Sequence, residues 1–339
     1  MHRAALALAF AAALLAVPAG NGTSGAGPVT LVETEAPIYA FAQDGGWIAW
    51  IRRLPGGPLF TSHAAVFARA AAGGPVIRLT PRPEVGDTYG LVLGAGRALW
   101  WAGYETMSTW TVLGTAAVGD RRTRRPAGGV RELDACDGSW VSAVAADGAR
   151  LVYSILASEE GEEFSCVGRP GHTARVVSGR GRRLPGVTGT SYLALAGRTL
   201  AIAHAARAEV RDADSGRLRK SFDLDGEPAA IALGSDYLAA ILRGSSPHLQ
   251  VRDLGTGEVR GSVPLRGRWG WDISASGSDI VYSIGRAIHA LDATTLRSRR
   301  VAFAATAPID LSIEGRRIAW AENARGRGWI KALTLAERR

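Results

Sequence analysis

Gly45-Gly46-Trp47-Ile48-Ala49-Trp50, near the start of the chain, returns as Gly315-Arg316-Arg317-Ile318-Ala319-Trp320 near its end. Five further copies lie between them. They are Gly96-Arg97-Ala98-Leu99-Trp100-Trp101, Gly148-Ala149-Arg150-Leu151-Val152-Tyr153, Gly197-Arg198-Thr199-Leu200-Ala201-Ile202, Ser235-Asp236-Tyr237-Leu238-Ala239-Ala240 and Gly277-Ser278-Asp279-Ile280-Val281-Tyr282. Each follows an alternating apolar stretch, so the unit reads as strand, tight turn, then a second strand rich in Ile, Ala, Trp and Tyr. The anchors at 45, 96, 148, 197, 235, 277 and 315 stand 51, 52, 49, 38, 42 and 38 residues apart. A period of that size holds four short strands and their turns, the blade of a β-propeller.

The rest of the unit agrees with that reading. Val210-Arg211-Asp212-Ala213-Asp214-Ser215-Gly216 and Val251-Arg252-Asp253-Leu254-Gly255-Thr256-Gly257 are third strands running into Asp/Gly turns. Asp accepts local amide hydrogen bonds there, and Gly permits positive φ. The last unit ends after Trp329–Leu335 with three strands, while Val29-Thr30-Leu31-Val32-Glu33 precedes the first as an extra strand. That segment is expected to become the outer strand of the last blade and close the ring. The predicted fold is therefore all-β: a single propeller of seven four-stranded blades over residues 28–339.

Composition sets the outer bounds. Hydrophobic residues form 47% of the 339, enough for a continuous core, and 43 glycines suit many turns. The net charge of +9 comes from 40 basic residues, of which only Lys220 and Lys331 are lysine. The arginines are scattered, and the denser runs Arg121–Arg125 and Arg297–Arg300 fall where outer strands are expected. They read as charged protection of sheet edges rather than a nucleic-acid surface. Met1-His2-Arg3, the apolar run Ala4–Val17 and Val17-Pro18-Ala19 have the form of a signal peptide over 1–19, followed by a short linker over 20–27. The run is too short to span a bilayer comfortably. The expectation is a secreted, extracytoplasmic monomer with no membrane segment after cleavage; an uncleaved N-terminal anchor is the competing reading.

These segments resemble the TolB-like and WD-repeat-like bacterial β-propellers. The resemblance rests on Gln43-Asp44-Gly45 before Ile48-Ala49-Trp50, on Ala145-Ala146-Asp147-Gly148 before Leu151-Val152-Tyr153, and on Gly73–Thr80 closing unit 1. It implies export and contact with other proteins.

The candidate site residues follow from strand direction. In a four-stranded meander, the starts of first and third strands share a face with the ends of second and fourth strands. Cys136 and Cys166 fall on that face within unit 3, and export favours a disulfide between them over two buried thiols. The segments Leu54–His63, Gly103–Thr109 and Ala157–Ser165 connect second to third strands on the same face and read as insertions. Tyr39, Tyr89, Trp140, Trp269 and Trp271 lie near the starts of first strands, where aromatics either grip a ligand or fill the space between blades. Asp272 and Asp310 occupy matching positions in units 6 and 7, facing the channel to hold a cation or water or to bond turn amides. Glu159, Glu160, Glu162 and Glu163 form an acidic loop.

No metal site, cofactor or catalytic residue is expected. The chain has no Gly-x-Ser-x-Gly elbow, His-Glu-x-x-His or phosphate-cradling glycine loop, and Asp214-Ser215-Gly216 sits in a repeat-predicted turn. The sequence thus points to a binding or scaffolding propeller recognising a protein or cell-envelope polymer. The alternative is a hydrolase or lyase acting on polysaccharide or peptide through Asp272 and Asp310.

Overall fold

The computed structural model describes residues 27–56, 62–86, 88–94, 96–105, 109–118, 139–148, 150–157, 173–178, 183–184, 192–266 and 269–337. Among them the strands form seven antiparallel sheets, and no helix is long and apolar enough to cross a membrane. Blade 1 runs Ile38–Asp44, Trp47–Arg53 and Ser62–Ala70, its outer position shared by Ile77–Arg78 and Glu84–Gly86. Blade 2 contributes Thr88–Gly94, Arg97–Glu105 and Thr109–Ala117, and blade 3 Ser139–Asp147, Arg150–Ala157 and Thr173–Ser178. Blades 4 to 6 each have four strands, with inner strands Tyr192–Ala196, Pro228–Leu233 and Trp269–Ser276. Blade 7 is Asp310–Glu314, Arg317–Ala324 and Arg327–Thr334.

The expected closing strand takes its place. Val29–Thr34 pairs antiparallel with Arg327–Thr334, setting Val32 opposite Ile330 and Thr34 opposite Gly328. Val32 is buried with Ile330, Trp50 and Phe41 between blades 7 and 1, and Arg69 of blade 1 donates to the Leu31 carbonyl at 2.8 Å. The two ends of the chain therefore complete one sheet, and each inner strand touches the next around the whole ring.

The second strands explain why the ring packs tightly. Trp50, Trp100, Tyr153, Tyr282 and Trp320 all stand six residues after the last inner-strand residue of their blade, and all are fully buried. In these five blades one large aromatic fills the wedge between neighbouring sheets; Ile202 and Ala239 take the position in blades 4 and 5, and Ala49, Ala98 and Ala319 let the sheets approach. Gly114 faces Trp100 across the strand pair; a Cβ there would stand 2.3 Å from the indole.

Two details differ from the sequence reading. Gly103, Tyr104 and Glu105 are not a loop insertion but lengthen the second strand, pairing with Thr111, Trp110 and Thr109. The β-branched and aromatic side chains there suit a longer hairpin. Likewise Ser62 and His63 belong to the third strand of blade 1, pairing with Gly86 and Val85.

Candidate functional site

The inner strands of all seven blades surround a central channel of about 560 Å³. Side chains on these strands pin one blade to the next by accepting amide hydrogen bonds. Ser274 Oγ takes the Ile313 N–H (3.2 Å), Ser276 Oγ the Gly315 N–H (3.0 Å) and Glu314 Oε1 the Gly46 N–H (3.0 Å). Asp147 takes the Gly197 N–H in the same way. The device satisfies backbone donors of the inner strands and of the turns that follow them, on the channel side where no neighbouring strand pairs.

Asp272 and Asp310 lie one level higher. Counting four residues back from Asp44, Gly94, Ser276 and Glu314, the last inner-strand residues, gives Ala40, Gly90, Asp272 and Asp310. Asp310 Oδ2 accepts the Phe41 N–H at 2.5 Å. Asp272 sits where the pairing of its strand shifts register between Trp269 and Ile273, and it has no matching amide bond among the described residues. Such a bulge re-aims a side chain. Burial pushes the Asp310 carboxyl up to about 7 against the Phe41 amide, which pulls it down. Burial raises Asp272 well above the ordinary carboxylate range, and the neighbouring Asp310 charge adds to this. Both carboxyls keep some contact with the channel while protein encloses them on nearly all sides.

The same level carries an aromatic wall on blade 2. Gly90 lies directly opposite Trp101, and both line the channel. A Cβ on Gly90 would meet three atoms of the Trp101 ring at 1.6 to 2.1 Å, so the indole lies across the bare glycine. Beside it, Tyr89 stacks on Tyr39 with ring centroids 4.9 Å apart and 3° between planes, and its hydroxyl donates to the Gly86 carbonyl at 3.0 Å. Among the described residues the channel lining holds five carboxyl side chains, Asp44, Asp147, Asp272, Asp310 and Glu314, and no basic one, on a chain of net charge +9.

No protein-family model and no curated protein matches the sequence. Solved structures do. Sqt1 of Saccharomyces cerevisiae superposes with a TM-score of 0.53 at 10% identity, covering 90% of this chain and 97% of Sqt1. The WD40 domain of Neurospora crassa Pan2 gives 0.52 at 12%, covering 91% and 98%. A chain of the Mitotic Checkpoint Complex gives 0.53 at 12%, covering 98% and 100%. The fold is a WD-repeat-like β-propeller. At these identities the likeness carries the architecture alone.

The propeller brings some of the sequence-predicted site residues together. Tyr89, Asp272 and Asp310 line one channel. Trp140 and Trp269 stand at the starts of the inner strands of blades 3 and 6, with Trp271 two residues on; their side chains lie outside the described set. So do Cys136, Cys166 and the loop Glu159–Glu163. The strands flanking the two cysteines meet at one end, where Ser139 pairs with Ala157. Tyr39 and Tyr89 pack between blades 1 and 2, the filling role offered for the aromatics, and Tyr89 also reaches the channel. Asp310 bonds a strand amide rather than a turn amide; the turn amides go to Asp147, Ser276 and Glu314.

Ser215 is held in a turn, its Oγ bonded to Asp212 Oδ1 at 2.9 Å, as the repeat reading required. Trp101 is the channel residue the sequence reading missed as a site. Its signal was present as Trp100-Trp101, adjacent strand residues whose indoles point to opposite faces: Trp100 packs between blades 1 and 2, and Trp101 packs against blade 3 while it lines the channel.

Proposed function

We propose that this propeller is an exported, non-catalytic binding scaffold that recognises a protein or cell-envelope polymer at the end of its channel where the inner strands begin. The observation that carries the reading is the channel: seven strands hold it rigidly, and Tyr39 and Tyr89 stack near that end, both half-buried. A preformed concave surface with aromatic side chains and a few placed polar groups suits ligand capture. A disulfide between Cys136 and Cys166 and a monomeric state belong to this reading. The test is retention of envelope fractions and arrayed glycans by the purified chain. Tyr89→Ala is expected to reduce retention about ten-fold; equal retention by the variant refutes this face as the binding surface.

A second reading is favoured by one observation, the two carboxyls held above their ordinary range at one level of the channel. Such pairs serve as acid and base in glycoside hydrolysis. Turnover of a polysaccharide or peptide by the wild type, abolished by Asp310→Asn, would replace the binding reading with an enzyme.

A further inference from the structure

We infer that the channel holds an organic cation, an ammonium or guanidinium group, between the Trp101 wall of blade 2 and the carboxyls of Asp272 and Asp310. The inference rests on the binding reading and names the chemistry its ligand must carry. Three independent features meet at one level of the ring. Asp310 spends one oxygen on the Phe41 amide, so the pair is anchored. Among the described residues Asp272, lifted out of the regular ladder, has no hydrogen bond, and no basic side chain lines the channel to neutralise it. Opposite them, the bare Gly90 lets the indole of Trp101 line the space.

A desolvated carboxyl pair without a counterion holds its protons, and a bound cation stabilises the ionised form that burial disfavours; an aromatic face attracts the same charge. A planar guanidinium or a compact ammonium satisfies both at once. A bare metal ion fits less well. Among the described residues no three metal-ligating side chains converge, whereas Ca²⁺ asks for six to eight oxygens. The volume of about 560 Å³ falls in the range of small-ligand pockets and exceeds what a lone ion requires.

The cation has two possible sources, a free amine or an Arg or Lys side chain reaching in from a partner chain. Calorimetric titration of the full chain at pH 8 tests both. The probes are agmatine and butylamine, the blocked peptide acetyl-Gly-Arg-Gly-amide, its neutral counterpart acetyl-Gly-Leu-Gly-amide, and calcium chloride. The expected result is saturable, mutually competitive binding of the three cationic probes. Asp272→Asn should weaken it at least ten-fold and Trp101→Leu about five-fold. A peptide that binds more tightly than agmatine assigns the cation to a partner chain, and the reverse order assigns it to a free amine.

Equal binding of the neutral peptide, undiminished binding by Asp272→Asn, or displacement of agmatine by calcium would each overturn the inference. Asp272→Asn replaces a buried ionisable carboxyl by a neutral isostere and is expected to fold; Asp310→Asn gives a second reading of the same loss. Envelope retention measured in parallel reports on the binding reading separately. Retention by a chain that takes up no cation would refute the cation and leave the scaffold standing.

Discussion

Replacing Gly90 with alanine adds a single carbon at the point where the Trp101 indole crosses the inner strand of blade 2. That carbon would stand 1.6, 1.8 and 2.1 Å from three ring atoms, so the ring must retreat by about 2 Å to reach ordinary van der Waals distance. It cannot retreat toward blade 3, where it packs with Leu99, Val141, Leu151 and Tyr153. It swings into the channel instead. Roughly 100 Å² of indole surface leaves its seat, about 2.5 kcal/mol at 25 cal/mol per Å². The lower entropy of the unfolded chain returns roughly 0.5 kcal/mol.

The net loss of about 2 kcal/mol corresponds to a fall of roughly 3 °C in Tm for a domain of this size. Urea denaturation and thermal melts of Gly90→Ala, Trp101→Leu and the double variant form a cycle that isolates the contact. In the Trp101→Leu background the penalty should vanish, giving a coupling of about 2 kcal/mol. A Gly90→Ala protein melting within 1 °C of the wild type, or losing as much stability without Trp101 as with it, refutes the packing argument.

Other predictions follow from the same geometry. Asp310 titrates near 7 and Asp272 well above the usual range, both raised relative to the unfolded chain. The folded state therefore binds more protons between about pH 4 and 7, and stability should fall as pH rises across that window. Asp272→Asn should raise Tm at pH 8 by several degrees and little at pH 4, because Asp44, Asp147 and Glu314 are common to both proteins; parallel pH profiles would contradict this.

Val32, within the closing strand, is 6% exposed, so Val32→Asp should cost about 3 kcal/mol or more. Val29→Asp, at a position 54% exposed, serves as the control, and equal melts of the two variants would refute closure as a stabilising contact. Alkylation of the unreduced protein should label neither Cys136 nor Cys166. Reduction should expose both and cost about 3–4 kcal/mol for a loop of some 30 residues; two reactive thiols before reduction would refute the bridge.

Much of the architecture was legible in the residues because a propeller repeats its instructions. The seven anchors set the blades, and Trp50, Trp100, Tyr153, Tyr282 and Trp320 return at one register position, so a local pattern foretold a global wedge. Val29–Thr34 was readable as a spare strand because the last unit lacked one. The second-to-third-strand connection of blade 2 was not readable. Gly103–Glu105 looks loop-like in sequence, yet pairing with Thr109–Thr111 satisfies its backbone and makes it strand.

The chain by itself determined the blade, its count and the matching positions of Asp272 and Asp310, since these depend on periodicity along one dimension. Closing the ring decided the rest. It brought Asp310 against the Phe41 amide, 269 residues away, and left Asp272 without such a bond. It also turned a glycine opposite a tryptophan into an aromatic wall facing those carboxyls. Burial and the loss of water raise the two acids, and neither is encoded in any local segment; both arise only where seven strands meet around one axis.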